Sequence, residues 1–292
     1  MSSNTSISPK NFSLTGFIKL TRVWNLLIIV LAQYFTAIFL VAEGDNWNNV
    51  LFDLRLFLLS LSTVLIAASG YIINDYYDVK IDYINKPERV VVGKVLKRRV
   101  VMVAHTFINF AGIAIGAYLS LKLGLINFLS ALLLWLYSNI LKRRPFIGNF
   151  SVALLTGLSI YVVNVLYEIN SPLVIIYALF AFSFTLIREV IKDMEDIRGD
   201  LAFGCKTLPI IWGIRRTKWF LFYISLAFLF CVIVISNLFL TKSFILLSFL
   251  LIPPVAVLIF YMYRADTKRA FTRLSNLCKL IMLLGIISMI II

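Results

Sequence analysis

Histidine and cysteine are both scarce in this sequence. Its 292 residues include one histidine, His105, and three cysteines, Cys205, Cys231 and Cys278. The cysteines have neither paired nor metal-ligand spacing, so the sequence predicts no disulfide framework and no zinc site. His105 falls near the start of a predicted helix, where we interpret it as a packed or interfacial residue. A catalytic Ser/His or Cys/His arrangement is therefore not indicated.

Charged residues are also few, at 14% of the chain, whereas 61% of the residues are hydrophobic and the mean hydropathy is +0.94. This composition excludes a soluble domain, whose apolar share is about half. A helix needs about 20 apolar residues to cross a bilayer. We therefore predict an all-α polytopic membrane protein with about nine transmembrane helices around a central cavity. The nine apolar stretches are residues 23–42, 56–77, 100–121, 123–141, 148–168, 172–191, 217–237, 244–263 and 272–292.

Acidic residues are outnumbered two to one, since 14 Asp and Glu stand against 28 Lys and Arg. When the nine stretches cross a membrane alternately, 25 of the 28 bases fall on one side, and only Arg55, Lys122 and Lys242 fall on the other. Basic residues accumulate in short cytoplasmic loops. We therefore predict a plasma-membrane protein with a cytoplasmic N-terminus and an external C-terminus. Membrane lipid is the expected partner of the basic loops, and nucleic acid is not.

The N-terminal stretch MSSNTSISPKN is polar and lacks the basic-then-apolar pattern of a secretory signal. Neither a short repeat nor a low-complexity linker divides the apolar stretches. We predict a cytoplasmic tail and helix lead-in over residues 1–22, and a single transmembrane domain over residues 23–292.

Two acidic clusters follow apolar stretches: NDYYDVKID at residues 74–82 and REVIKDMEDIRGD at residues 188–200. At 3.6 residues per turn, aspartates spaced by three and then four residues form one stripe on a helix. Both clusters end even-numbered predicted helices, so we expect them on the cytoplasmic side, facing each other across a cavity. The striped residues are Asp75, Asp78 and Asp82 in the first cluster and Asp193, Asp196 and Asp200 in the second.

Facing carboxylates repel each other unless cations lie between them. Oxygen ligands without His or Cys suit Mg²⁺, which binds through a few carboxylates together with substrate phosphates. Neighbouring bases are expected to bind the remaining phosphate oxygens. The pattern therefore predicts a site for a lipid diphosphate. The candidate substrate-binding residues are Lys86 and Arg89, Lys192 and Lys206, and Arg22 and Asn25 near the first apolar stretch.

Each cluster alone is equally compatible with solvated acids beside ordinary cytoplasmic bases, and the matched pair favours a functional site. Intramembrane ionisable groups also point to function. Tyr71, Tyr76 and Tyr77 lie within a turn of the first acids. Their rings suit either the stabilisation of a carbocation or an interfacial aromatic belt.

The stretch NDYYDVKID resembles the Asn-Asp-x-x-Asp-x-x-x-Asp signature of the UbiA superfamily of intramembrane prenyltransferases, and Asp196 to Asp200 resembles that family's Asp-x-x-x-Asp motif. The resemblance extends to the nine-helix count. REVIKDMEDIRGD, followed by GCKTLPI, is most similar to an archaeal-type branch that prenylates a prenylated glycerol phosphate. Many members carry an Arg-Pro pair after the first motif, whereas Val90 follows Arg89 in this sequence.

The resemblance implies Mg²⁺-dependent transfer from an allylic prenyl diphosphate, with the prenyl tail in an opening towards the bilayer. The diphosphate leaves, an allylic cation forms, and the acceptor attacks it. The resemblance implies catalytic roles for Asp78, Asp82, Asp196 and Asp200. The metal-binding set that it implies comprises these four residues with Asn74, Asp75 and Asp193.

Three alternatives remain open at this point. The acceptor is either a lipid, such as a prenylated glycerol phosphate, or an aromatic ring of a quinone or haem-type pathway. A cation-coupled transporter would also need buried acids, although such acids tend to lie near the bilayer midplane. A CDP-alcohol phosphotransferase is aspartate-rich as well, but the Asp-Gly pair of that class is missing, since Val79 follows Asp78.

Overall fold

A computed structural model describes residues 13–42, 47–239 and 242–292. The predicted tail lies largely outside the described residues, since its first 12 positions precede them. Within the described ranges, nine helices are long and apolar enough to cross a membrane. The structure therefore confirms the predicted all-α class and the number of candidate transmembrane helices.

The helices follow one another with short connections, and an isolated bridge joins Val92 to Leu96. A π-helical segment, Thr36–Val41, continues α2, and a turn of 3₁₀-helix, Leu141–Arg143, precedes α7. All helices except α1 and α3 are candidate membrane spans. The α-helices are α1 Leu14–Thr21, α2 Val23–Phe35, α3 Trp47–Leu51, α4 Leu54–Asn85, α5 Arg98–Leu119, α6 Leu121–Asn139, α7 Ile147–Tyr167, α8 Pro172–Ala202, α9 Leu208–Phe239, α10 Lys242–Arg264 and α11 Lys268–Ser288.

Two of these helices extend well beyond their apolar stretches. The predicted ends at residues 77 and 191 are too early, because α4 continues to Asn85 and α8 to Ala202. The acids do not end either helix, because they lie on one stripe of it. Apolar side chains on the rest of the helix surface, such as Ile81 and Met194, remain buried. Both acidic clusters are thus helical along their whole length.

The start of α9 was also predicted too late. It begins at Leu208 rather than at residue 217, although Gly213, with φ of 78°, interrupts the helical backbone. Glycine adopts this left-handed φ without the steric cost that a Cβ would add. The helix α1 lies inside the predicted lead-in and was not predicted at all. Its eight residues are fewer than a membrane window detects.

One compact unit comprises the described part of residues 1–29 together with residues 58–141. In this unit α4 packs beside α5, where His105 Nδ1 lies 3.1 Å from the Ser69 carbonyl oxygen. His105 is therefore a packed residue, as predicted. The loop after α4 folds back so that Val91, Val92 and Leu96 share a buried cluster with Leu20.

The second compact unit comprises the described parts of residues 30–57 and 142–292. In this unit α8 packs against α7, α9 and α11. Buried side chains of α8 such as Ile187 and Ile191 belong to the same apolar core as Phe271 and Leu274 of α11. The helix that carries the second acidic cluster is therefore fixed by neighbours on several sides.

The packing of α7 on α8 depends on Gly157, because a Cβ built there would lie 2.8 Å from the Ala178 carbonyl oxygen. We expect Gly157→Ala to destabilise the protein by about 1–3 kcal/mol, since the α8 backbone must shift. Gly285→Ala in α11 is the matched control, because its Cβ meets nothing within 4 Å. Thermal unfolding in detergent should show a lower Tm for Gly157→Ala alone. Equal Tm values would contradict the close approach of the two helices.

Candidate active site

The first acidic cluster lies on the last turns of α4. Asp75, Asp78 and Asp82 act on one another electrostatically, as the shared stripe predicts. Lys86 also acts on Asp82 and follows it by one turn, with its backbone N–H donating to the Asp82 carbonyl oxygen at 2.8 Å. The stripe thus combines three carboxylates with a cation at its end.

Arg22 is the predicted substrate-binding residue with the strongest contact to this cluster. Its Nη2 donates to Asp75 Oδ1 at 2.7 Å, and its guanidinium lies 4.9 Å from the Tyr71 ring centroid. Arg22 ends α1 with φ of 53°, a left-handed conformation that is uncommon for residues other than glycine. Burial lowers the pKa of Arg22, but Asp75, together with Tyr71 and Asp82, more than offsets this effect, so that pKa lies above its ordinary value.

The tyrosines beside the acids have arginine contacts of their own. The Arg98 guanidinium lies 4.8 Å from the Tyr76 ring centroid, much as Arg22 covers Tyr71. Asn25 Nδ2 donates to the Tyr71 hydroxyl at 3.5 Å. A protein cation therefore covers one face of each of these two rings. This favours a structural role for that face over the stabilisation of a carbocation.

The other predicted bases of the first cluster lie in the loop after α4. Arg89 is exposed and lies 4.0 Å from the equally exposed Glu88, a surface pair that contributes little to stability. Lys86 is half-buried. The neighbouring Val90, Val91 and Val92 are all buried. The loop is thus anchored by its valines while Arg89 remains in contact with solvent.

The second acidic cluster lies on the last turns of α8. Asp193 Oδ2 accepts a hydrogen bond of 2.9 Å from Asn149 Nδ2 of α7. Asn149 was missed by the sequence analysis, since an asparagine in an apolar stretch has no distinctive spacing. Asp196 and Asp200 are half-buried and continue the stripe. Lys206 is exposed in the following loop, where its backbone N–H donates to the Arg143 carbonyl oxygen at 2.8 Å.

A fourth acid extends this stripe by one turn. Glu189 precedes Asp193 by four residues and is buried with 6% exposure. Its Oε1 accepts from Arg188 Nη1 at 2.8 Å and from Lys192 Nζ at 3.1 Å, and its Oε2 accepts from Lys192 Nζ at 2.9 Å. Sequence analysis did not include Glu189 or Arg188, although the spacing of four residues was a usable signal. Lys192, a predicted substrate-binding residue, is thus held by a carboxylate.

The residues present are compatible with Mg²⁺. In the described part of the chain, no group of three or more His, Cys, Asp or Glu side chains is arranged to hold a metal ion. Mg²⁺ does not need such a cage, because it keeps several waters and uses one or two carboxylates plus substrate phosphates. Asn74 Oδ1 is buried and has no hydrogen-bond donor among the described residues. An acceptor oxygen of this kind suits a hydrated cation.

The chain is similar to known proteins over most of its length. The model of the UbiA prenyltransferase family matches residues 24–282. The chain is 32% identical over 278 residues to digeranylgeranylglyceryl phosphate synthase of Methanosphaera stadtmanae, covering 93% of this chain and 97% of that protein. It is 33% identical over 282 residues to the synthase of the same name from Thermococcus kodakarensis, covering 94% and 97%.

Solved structures show the same fold. A structure described as that of digeranylgeranylglyceryl phosphate synthase in membranes has a TM-score of 0.64 at 24% identity, covering 95% of this chain and 97% of the other. A UbiA homologue from Archaeoglobus fulgidus bound to GPP and Mg²⁺ has a TM-score of 0.69 at 16% identity, covering 94% and 99%. The likeness extends over nearly the whole of each chain.

Because Asp75 binds Arg22, we predict that Asp75 affects catalysis largely by positioning Arg22. We expect Arg22→Gln and Asp75→Asn each to lower kcat/KM by about 10-fold, and the double variant to be no worse than either, because groups that act as a unit are not additive. Steady-state kinetics in detergent measure this cycle. Asp266→Asn, at an exposed acid, is the control and should retain activity. If the losses of kcat/KM were additive, and if excess Mg²⁺ restored the activity of Asp75→Asn, Asp75 would instead be a metal ligand.

Proposed function

The chain belongs to the UbiA prenyltransferase family, and on that premise we propose that it transfers a geranylgeranyl chain from its diphosphate to a prenylated glycerol phosphate with Mg²⁺. The observation that carries this proposal is the continuation of α4 and α8 beyond their apolar stretches, with three striped aspartates on each. These helices supply rigid supports for carboxylates beside membrane-spanning apolar segments. The Mg²⁺-bound and GPP-bound family structure supports the choice of metal and donor.

We assign metal binding to Asn74, Asp78, Asp82, Asp196 and Asp200, with Asp193 completing the second set, whereas Asp75 acts on the first set through Arg22. Mg²⁺ supplies neutralisation of the charge that develops on the departing diphosphate. The carboxylates position that ion and its phosphates. Lys86 and Arg89, in the segment after the first set, and Lys206, after the second, provide further contacts to these phosphates, and Lys192 is a further substrate-binding residue.

The reaction requires one bond to break and one to form. The allylic C1–O bond of the donor breaks, and its electron pair leaves with the diphosphate. The hydroxyl oxygen of the acceptor then bonds to C1, and its proton passes to the released diphosphate or to water. No imidazole base is required, in agreement with the packed position of His105. A site with little water limits capture of the allylic cation by hydrolysis.

The chain is an integral membrane prenyltransferase, and this conclusion sets the transporter and CDP-alcohol phosphotransferase alternatives aside. We further propose the orientation that the basic loops predict, with a cytoplasmic N-terminus, an external C-terminus and both aspartate sets at the cytoplasmic face of the plasma membrane. A water-soluble diphosphate product would then be released into the cytoplasm.

Charge removal at the two aspartate sets tests the mechanism. We expect Asp78→Asn and Asp196→Asn each to lower kcat by about 100-fold or more, because the change removes transition-state stabilisation with little change in volume. Incorporation of radiolabelled geranylgeranyl diphosphate into lipid, at several Mg²⁺ concentrations, measures the loss. Asp266→Asn again serves as the control, and Tm values in detergent report folding. Near-normal turnover of either aspartate variant at saturating Mg²⁺ would contradict the two-motif mechanism.

The acceptor is tested by competition in one vessel. Purified protein is given geranylgeranyl diphosphate, Mg²⁺, a geranylgeranylglyceryl phosphate and a panel of aromatic acids, and mass spectrometry identifies the products. We expect the glycerol ether to dominate, because both curated relatives described above carry the name of a glyceryl phosphate synthase. Exclusive prenylation of an aromatic acid would overturn the acceptor while leaving prenyl transfer intact.

A further inference from the structure

Two cations of α8 share one carboxylate. Arg188 and Lys192 both bind Glu189, so their nitrogens lie within two hydrogen-bond lengths of each other across a shared Oε1. Lys192 also acts electrostatically on the next acid of the stripe, Asp193. The side chains of Arg188, Glu189 and Lys192 are 18%, 8% and 28% exposed. Polar groups in so dry a setting are costly unless each has a partner.

The guanidinium of Arg188 also has a buried donor without an acceptor. Its Nη1 donates to Glu189, whereas its buried Nε finds no acceptor among the described residues. A buried donor without an acceptor costs free energy that a ligand oxygen would recover. Nε–H and the adjacent Nη2–H form the side-on edge of the group, and such an edge matches two oxygens of a phosphate.

The position of Arg188 along α8 separates its open donor from Asp196. Arg188 precedes Asp196 by eight residues, which corresponds to about 12 Å along a helix. The aspartates attract a phosphate only through a metal ion, whereas the Nε–H of Arg188 donates to one directly. The same helix thus offers two chemically different anchors for phosphorylated groups, spaced by roughly the length of two helical turns.

We propose that Arg188, with Lys192 beside it, binds the phosphate of the acceptor, and that Glu189 is the positioning residue that holds both cations. The proposal rests on the proposed function, since it needs an acceptor with its own phosphate. It makes Arg188 a specificity-determining residue, because an unphosphorylated glycerol ether or an aromatic ring would leave its Nε–H without an acceptor. Glu189 fixes the two cationic groups in advance, which lowers the entropy lost on binding.

The test is Arg188→Gln, which leaves a neutral Glu189 and Lys192 pair and is therefore expected to fold. The KM for geranylgeranylglyceryl phosphate should rise by about 10- to 100-fold, as expected for a lost charged hydrogen bond. The KM for geranylgeranyl diphosphate should change by less than about 3-fold, and Arg188→Lys should restore part of the affinity because the charge remains. Arg198→Gln is the matched control, an exposed arginine almost three turns further along α8.

The same variants are assayed with geranylgeranylglycerol, which lacks the phosphate. The wild type should prefer the phosphorylated acceptor. In Arg188→Gln this preference should be weaker, by the same factor as the rise in the KM for geranylgeranylglyceryl phosphate. A rise in the KM for the diphosphate instead would assign Arg188 to the donor and overturn the proposal. A lower kcat with both KM values unchanged would show a structural role and also overturn it. Failure of the wild type to use the phosphorylated acceptor would instead refute the proposed function.

Discussion

Partners for buried charge determine how the aspartate-bearing helices are held. Asp75 is bound by Arg22 at 2.7 Å, Asp193 by Asn149 at 2.9 Å, and Glu189 by two cations of its own helix. Removing the partner of a buried charge is destabilising, because the remaining charge stays out of water. Each contact therefore constrains its surroundings. Arg22 ends α1 in a left-handed conformation, and Asn149 requires the first turns of α7 to lie beside α8.

The same contacts explain why the acids sit on helices rather than in loops. A helix satisfies its own backbone groups, so α4 and α8 can pass from apolar to charged sequence without exposing unpaired N–H or C=O groups to hydrocarbon. Functional side chains on rigid elements also hold their geometry better than those on loops. The core around α8 adds to this rigidity, since Ile187 and Ile191 are fully buried within two turns of Asp193. Arg89 and Lys206, the bases proposed to contact the leaving diphosphate, lie in exposed loops.

The sequence predicted those features that depend on periodicity and composition. The nine spans followed from apolar length, and the striped aspartates followed from intervals of three and four residues. Helix ends were less predictable, because hydropathy does not mark where a helix stops, so α4 and α8 were predicted too short. Partners on other elements were not predictable either. Asn149 pairs with Asp193 across 44 residues, and Arg22 pairs with Asp75 across 53. The local spacing of Asn149 and of Arg22 does not indicate these partners.

The order of charged groups along α8 finally relates the proposed metal to the proposed acceptor. In the proposed mechanism, the carboxylates of the Asp193 to Asp200 turns bind a phosphate only through Mg²⁺, so donor recognition and metal dependence would be one property. The Nε–H of Arg188 needs no metal to donate to an anion. Two phosphates bound by the same mechanism would compete for one site. A metal-dependent and a metal-free anchor on one helix would instead give donor and acceptor distinct positions, and would keep two like-charged head groups apart while their reacting carbon and oxygen approach.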